Sequence, residues 1–267
     1  MVFSILQYLI LGIIQGVTEW IPISSSGMTS LVMSNFFGIT NLAQILQISL
    51  FLHLGTFFAA LIYFRKDVAN LFVSLFKYKK SSKENQSILK FLIIATIITG
   101  VIGIFLMKLL SSMDLELTGK TITLIVGLLL LITSIVQLSS KIKGFRKSED
   151  IKLKDSAALG IVQGVSILPG ISRSGITVSA LLLRKFDDTT ALRLSFLLSL
   201  PIVLLGNLFL NIGDIASTFQ TWSIIGLLAS FVLGLATIHV LMKLAKKINF
   251  GWFAFIIAVL MMTSILI

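Results

Sequence analysis

Long apolar runs separated by short polar segments dominate the hydropathy pattern of this chain. A helix needs roughly 20 apolar residues to cross the hydrocarbon core of a bilayer. Six runs meet that length, at residues 43–64, 88–110, 117–138, 190–212, 222–242 and 250–267. The pattern therefore predicts six transmembrane helices.

Two further apolar regions, residues 2–38 and 156–183, are interrupted in the middle by proline and glycine among clustered hydroxyl residues. Each half is too short to cross a bilayer. Interrupted helices are tolerated at membrane depth only where protein or a water-filled cavity satisfies the freed backbone groups. Both regions are therefore predicted to be re-entrant helical hairpins.

The two interrupted regions are related in sequence. Gly12-Ile-Ile-Gln-Gly-Val-Thr aligns without gaps with Gly160-Ile-Val-Gln-Gly-Val-Ser, at an offset of 148 residues. The same offset pairs Ile23-Ser-Ser-Ser-Gly27 with Ile171-Ser-Arg-Ser-Gly175. Because each hairpin precedes three predicted spans, we interpret the chain as one integral domain, 1–267, built from repeats of about 1–140 and 150–267.

Loop charges predict how the two repeats are oriented. The loop after the first span contains seven lysines and arginines against Asp67 and Glu84, and should therefore be cytoplasmic. Counting spans from that loop, the first hairpin must enter from outside and the second from the cytoplasm. The predicted fold is an all-α integral membrane protein with six transmembrane helices and two re-entrant hairpins in an inverted-topology repeat. Both termini are predicted to be extracytoplasmic.

Composition agrees with a lipid-embedded chain. Of 267 residues, 56% are hydrophobic and 12% charged, and the mean hydropathy is +1.03. The net charge of +11 would suggest nucleic acid in a soluble protein, but these positive residues lie between apolar spans and are better explained by topology. We therefore expect no nucleic acid partner. The absence of cysteine excludes disulfides, thiolate metal sites and cysteine nucleophiles.

Two charged residues, Glu19 and Arg173, stand apart from the loops, inside apolar surroundings. An ionised side chain at membrane depth costs about 2.5–3.5 kcal/mol on insertion scales, so each is a functional hypothesis by default. Hairpins entering from opposite faces would make each the other's partner near the midplane. The alternative is a structural ion pair that only locks the hairpins together.

Several polar residues share this predicted centre. Gln15 and Glu19 are four residues apart and lie on one helix face. Glu19 is a candidate ligand for Mg²⁺ or Ca²⁺ shared with phosphates, or a general base. His53, about ten residues into the first span, is a secondary acid/base candidate.

The two hydroxyl-rich breaks have the composition of helix starts. Serines are favoured N-caps, and the free N–H groups of a helix N-terminus bind phosphate. Arg173 would add bidentate contacts to phosphate oxygens. The alternative is that the small residues serve only close helix packing. Candidate phosphate ligands are Ser24, Ser25, Ser26, Gly27, Gly170, Ser172, Ser174 and Thr177.

The motifs Gln15-Gly-Val-Thr-Glu19, Pro22-Ile-Ser-Ser-Ser-Gly27 and Pro169-Gly-Ile-Ser-Arg-Ser-Gly-Ile-Thr177 resemble those of the undecaprenyl-diphosphate phosphatase (bacitracin-resistance, UppP/BacA) family. The resemblance covers nearly the whole chain in segment order. It implies Gln15 and Glu19 at the acidic-motif positions, Ser25 as nucleophile or phosphate-binding serine, and Arg173 as phosphate clamp. Ser172, Ser174 and Thr177 complete the second motif.

The activity implied by the resemblance is hydrolysis of a polyprenyl diphosphate to the monophosphate and inorganic phosphate in the plasma membrane, with divalent-cation dependence. It would recycle the lipid carrier for cell-envelope glycan synthesis. Bacterial members usually have histidine where this chain has Met28. If that histidine is essential, either Glu19 or His53 takes its role here, or turnover is weak or absent. A polyprenyl-phosphate transporter with alternating access around the same anion site is the alternative. The oligomeric state is left open, with a homodimer as one option.

Overall fold

The computed structural model describes residues 4–21, 23–112, 118–139, 144–211, 223–244 and 250–264. These residues form eleven α-helices and no β-strand. The helices are α1 (Ile5–Thr18), α2 (Ser25–Phe36), α3 (Leu42–Tyr63), α4 (Arg65–Phe76), α5 (Lys83–Ser112), α6 (Gly119–Ser139), α7 (Leu153–Val165), α8 (Arg173–Leu183), α9 (Asp188–Asn211), α10 (Ser223–Leu244) and α11 (Phe250–Ser264).

Five helices, α3, α5, α6, α9 and α10, are long and apolar enough to cross a membrane. Their outer faces carry large exposed side chains such as Val101 and Phe105, which are 67% and 65% exposed. Exposed apolar side chains in such numbers face lipid in a membrane protein. The chain is therefore an all-helical, multi-pass membrane protein. The sixth predicted span, 250–267, has 15 residues of described helix, and its last three residues lie outside the described part.

The two interrupted regions form pairs of short helices, as the sequence predicts. α1 and α2 have 14 and 12 residues, and α7 and α8 have 13 and 11. At 1.5 Å per residue none exceeds about 21 Å, so none can cross a hydrocarbon core of roughly 30 Å. The breaks cover residues 19–24 and 166–172; Pro22 lies outside the described residues.

The first helix of each hairpin packs against a span of the other repeat. α1 lies along α10, and α7 lies along α5. Glycine permits both contacts: a Cβ on Gly12 would fall 2.2 Å from the Gly226 carbonyl oxygen, and one on Gly160 would fall 2.7 Å from the Ile98 Cβ. Because Gly12 and Gly160 are equivalent in the repeat, both halves use the same close approach to exchange their first helices.

One element departs from the sequence interpretation. Residues 65–76, expected to belong to a charged loop, form α4, whose exposed apolar side chains include Phe72 and Phe76. Arg193, at the start of α9, fastens this region because its guanidinium binds Asp67 of α4 and Glu84 of α5, each at 2.5 Å. The charges that mark a loop in the sequence therefore tie three helices together.

A second charged cluster lies where α7 begins and α8 ends. Asp155, in the first turn of α7, is fully buried and binds Arg146 and Arg184. Burial alone would raise the pKa of the Asp155 carboxyl, but hydrogen bonds from Arg146 and Arg184 outweigh it and hold that pKa below its usual value. Arg146 also lies over the ring of Phe186, with its guanidinium carbon 4.2 Å from the ring centre. This cluster locks the 144–151 loop onto α7 and α8.

Candidate functional site

The two hairpin breaks meet inside the protein. The Ser24 hydroxyl accepts hydrogen bonds from its own helix, at Gly27 N (3.2 Å), and from the other break, at Gly170 N (3.0 Å). The Ser174 hydroxyl donates to the Glu19 carbonyl at 3.3 Å. Ser24 has a φ of +66°, a left-handed conformation that is unfavourable for a serine and is held here by these two bonds.

Glu19, the residue that follows α1, is the centre of a buried polar network. Its Oε2 accepts hydrogen bonds from the Gln15 amide (2.8 Å) and the Ser25 hydroxyl (2.6 Å), and it lies 3.1 Å from His53 Nε2. Its Oε1 accepts a hydrogen bond from a terminal nitrogen of Arg173. The predicted pairing of Glu19 with Arg173 is therefore confirmed, and it joins the two repeats through unlike charges.

Arg173 uses only part of its hydrogen-bonding capacity. Nη2 binds Glu19, and the guanidinium carbon lies 5.7 Å from the centre of the Trp20 ring. Trp20 is itself fixed by a hydrogen bond to the Gly234 carbonyl oxygen and by an edge contact with Phe196. Arg173 Nη1 is buried and has no hydrogen-bond partner among the described residues. The guanidinium is thus held in place while one of its two terminal nitrogens stays unpaired among the described residues.

His53 is oriented by a second hydrogen bond. Its Nδ1 lies 2.6 Å from the Ser49 carbonyl oxygen, which can only accept, so Nδ1 carries a proton. Nε2 lies 3.1 Å from the Glu19 carboxylate, and a hydrogen bond between these two acceptors requires one further proton on either of them. A histidine and a carboxylate that share a proton form a ready acid/base pair.

A cavity of about 210 Å³ lies beside this network. Its polar wall contains Arg173, His53, Ser26 and Gln163. Its remaining wall is largely apolar and comes from α3, α5 and α9, where Gly100, Gly103 and Gly206 leave room between the helices. Glu19 and Ser25 are not part of the wall, and they lie behind His53 and Arg173.

The other predicted site residues have varied positions. Ser24 and Ser172 are the N-caps of α2 and α8, as hydroxyl residues at helix starts should be. Gly170 has a φ of +107° and a Cβ there would fall 2.8 Å from the Val126 Cα, so glycine is needed for the close approach of the break to α6. Thr177 binds the Ser195 hydroxyl at 2.6 Å. These residues, with Gly27 and Ser174, shape the breaks rather than line the cavity.

Gln163 is a cavity residue that sequence reasoning did not single out. It occupies the position in α7 that Gln15 occupies in α1, at the repeat offset of 148. The signal was therefore present in the aligned motifs. Gln15 has Glu19 as a partner, whereas the equivalent of Glu19 is Ile167.

A divalent cation fits this site only if the protein and the substrate share its coordination. No group of three or more histidine, aspartate and glutamate side chains occurs among the described residues. Among the described residues, Glu19 Oε1 accepts a hydrogen bond from Arg173 alone and retains a lone pair, so Glu19 can supply one oxygen to a cation. Substrate phosphates and water would have to supply the others, which is the usual arrangement for Mg²⁺.

Comparison with known proteins agrees with the resemblance. Residues 8–263 match the family model described as bacitracin resistance protein BacA. A protein named undecaprenyl-diphosphatase from Methanococcoides burtonii is 41% identical over 264 residues, covering 96% of this chain and 97% of that protein. Proteins of the same name from Methanothrix thermoacetophila and Oceanobacillus iheyensis are 36% and 33% identical, over 93% and 95% of this chain and 92% and 93% of their own lengths. This chain is thus a member of the bacitracin resistance protein BacA family.

Proposed function

We propose that this protein is a membrane phosphatase that hydrolyses undecaprenyl or a similar polyprenyl diphosphate to the monophosphate and inorganic phosphate. One observation carries the proposal: Arg173 lines the cavity with a buried, unpaired guanidinium nitrogen next to the Glu19–Ser25 pair. A buried donor without a partner is costly, and a phosphate oxygen is the acceptor that a guanidinium matches best. The related proteins are named for this activity.

The proposed membrane arrangement follows from the charges. Six spans, with the two hairpins entering from opposite faces, place the basic residues between α3 and α5 and around α7 on the cytoplasmic side. α3 then runs inward from the outer face, while α5 and α9 run outward. The cavity residues on these helices, among them Leu46, Thr99, Met107, Ile202 and Phe209, belong to the outer halves of the three helices. This supports a cavity that opens toward the outer leaflet.

The shape of the cavity matches a lipid diphosphate. Its polar end would receive the charged head group, and its apolar walls would receive the first isoprene units. Gly100, Gly103 and Gly206 line the cavity on α5 and α9, and the rest of the chain would extend into lipid between these two helices. A soluble diphosphate would gain nothing from such walls, so this geometry favours a membrane-anchored substrate.

The reaction would use Ser25 and Glu19 as nucleophile and base. The Ser25 hydroxyl donates to Glu19 Oε2 at 2.6 Å, the geometry of an activated nucleophile. Attack on the terminal phosphorus breaks its bond to the bridging oxygen, and the lipid monophosphate departs with that oxygen. Water then cleaves the phosphoserine, releasing inorganic phosphate and restoring Ser25. Direct attack by water, with Glu19 as base, gives the same products without the covalent step.

His53 would supply the proton that the leaving group needs. It lies on the cavity wall, and it shares a proton with Glu19. This proposal assigns to His53 the role expected of the histidine that Met28 replaces. Met28 cannot transfer a proton and packs against the apolar cluster around Ile23 and Val126.

Charge neutralisation would come mainly from Arg173 and from the N-termini of α2 and α8, which start at Ser25 and Arg173. Glu19 would hold a divalent cation together with the substrate phosphates, and the cation would supply Lewis-acid stabilisation of the same charge. Positioning and electrostatic stabilisation dominate phosphoryl transfer in general, and these groups together would supply both.

The test is phosphate release by purified protein in detergent, with C15 or C55 polyprenyl diphosphate and Mg²⁺ or Ca²⁺. Wild type should release inorganic phosphate, while Glu19→Gln and Arg173→Ala should release at least about 100-fold less. Glu149→Gln and Arg65→Ala are matched controls because both side chains are exposed, and they should behave as wild type. A transporter would return the diphosphate intact, so absence of phosphate release by wild type overturns the proposal.

A further inference from the structure

A buried side chain on the cavity wall has no partner in the network around Glu19. Gln163, near the end of α7, is 2% exposed, and neither its Nε2 nor its Oε1 has a hydrogen-bond partner among the described residues. Its main chain is satisfied, since the Gln163 carbonyl accepts from the Ser166 amide and hydroxyl. Only the side-chain amide is therefore available to a ligand.

The repeat explains why this amide is unpaired. The equivalent residue, Gln15, donates to Glu19 four residues later. In the second repeat the residue four positions after Gln163 is Ile167, which cannot accept a hydrogen bond and also lines the cavity. A structural role alone would favour an apolar residue at this position, because an unpaired buried amide is unfavourable. The missing acceptor is therefore best supplied by the substrate.

The composition of the cavity wall indicates which part of the substrate this is. The terminal phosphate must lie at the end of the cavity formed by His53 and Arg173, because both contact Glu19, the partner of Ser25. The isoprenoid must lie against the apolar walls of α5 and α9. Gln163 lies on the wall of the cavity itself, together with α5 residues such as Thr99 and Gly100. The group between the reacting phosphorus and the isoprenoid is the inner phosphate.

We propose that Gln163 Nε2 donates a hydrogen bond to a non-bridging oxygen of the inner phosphate, the phosphate that remains on the lipid after hydrolysis. This inference rests on the proposed phosphatase function and adds a substrate-binding residue to it. Gln163 then acts on binding of both the diphosphate substrate and the monophosphate product. Gln15, its equivalent, acts instead on the catalytic carboxylate.

The experiment compares Gln163→Met with Gln15→Met, two substitutions of similar size that remove the same amide from equivalent positions. Loss of one hydrogen bond to a charged group should raise KM of Gln163→Met by about 10- to 100-fold, with kcat nearly unchanged. The inhibition constant of the polyprenyl monophosphate should rise by a similar factor, and that of free inorganic phosphate should not change. Gln15→Met should mainly lower kcat.

The outcomes are separable. A fall in kcat alone for Gln163→Met, or an unchanged inhibition constant for the monophosphate, overturns the assignment. Unchanged kinetics also overturn it, because they would show that the amide binds only water. If Gln163→Met unfolds, Gln163→Glu keeps the size and a polar end, and direct binding of the monophosphate by calorimetry should be weakened in it. Wild type that binds the monophosphate but releases no phosphate contradicts the phosphatase and leaves the Gln163 assignment standing.

Discussion

Replacing Arg173 by lysine separates its two contacts. Lysine keeps the positive charge beside Glu19, so the buried pair is preserved, but it cannot present a second, divergent donor to the cavity. In the structure that second donor is Nη1, which is buried and unpaired. Losing one charge-assisted hydrogen bond to phosphate costs about 1.5–3 kcal/mol. At 1.4 kcal/mol per tenfold, Arg173→Lys should lower kcat/KM by about 10- to 100-fold.

The assay is steady-state phosphate release, paired with thermal unfolding of the same preparations. Arg173→Ala is a less informative variant because it leaves the Glu19 carboxylate buried without its guanidinium partner. The loss of one partner from a buried ion pair lowers the free energy of unfolding by about 3–5 kcal/mol. Arg173→Lys should unfold close to the wild-type temperature, and Arg65→Lys, at an exposed arginine, should match wild type in both assays. If Arg173→Lys keeps more than about half of wild-type kcat/KM, the unpaired nitrogen does not bind phosphate.

Three further predictions address the cation, the packing and the charge cluster. Chelation with EDTA should abolish phosphate release, and added Mg²⁺ or Ca²⁺ should restore it; activity that survives chelation would exclude a cation at Glu19. Gly12→Ala should lower the free energy of unfolding by about 1–3 kcal/mol, and with it the unfolding temperature, because the new Cβ would lie 2.2 Å from the Gly226 carbonyl oxygen. Gly103→Ala should leave the unfolding temperature unchanged because the space around Gly103 is open. The pKa of Asp155 is lowered in the folded protein, so its stabilisation is complete above about pH 4 and lost as the pH falls through the folded-state pKa. The gap in unfolding temperature between wild type and Asp155→Asn should therefore narrow on acidification, and a gap that does not depend on pH would contradict this.

Hydropathy and the internal repeat predict much of this fold. The apolar runs predict the ends of the five long apolar helices to within a few residues, and the interruptions by proline and glycine predict both pairs of short helices. The pairing of Glu19 with Arg173 follows because an isolated charge at membrane depth needs an opposite one. These features share a cause. Unpaired polar groups are unfavourable in a bilayer, so an interruption of an apolar region or an isolated charge is visible in the sequence and indicates a polar partner.

Other features escape sequence reasoning because they depend on side-chain contacts between distant segments. The charges of residues 65–84 indicate a loop, yet residues 65–76 form α4, and Asp67 and Glu84 bind Arg193, which lies more than 100 positions later. Asp155 has the composition of a solvated helix start but is buried by two arginines from other segments. His53 could be placed at the right depth from sequence, but its side-chain direction required the structure.

The duplicated hairpin explains why the site had to become asymmetric. The two halves keep equivalent scaffolding: Ser24 and Ser172 cap their helices, and Thr29 and Thr177 each contact a serine of the following span. Ser25 and Arg173 occupy equivalent positions, and both contact the Glu19 carboxylate. An arginine at each position would therefore bring two guanidiniums to the same carboxylate, where like charges disfavour each other. Divergence of this pair, and of Glu19 from Ile167, lets one repeat supply a nucleophile with its base and the other a phosphate-binding cation.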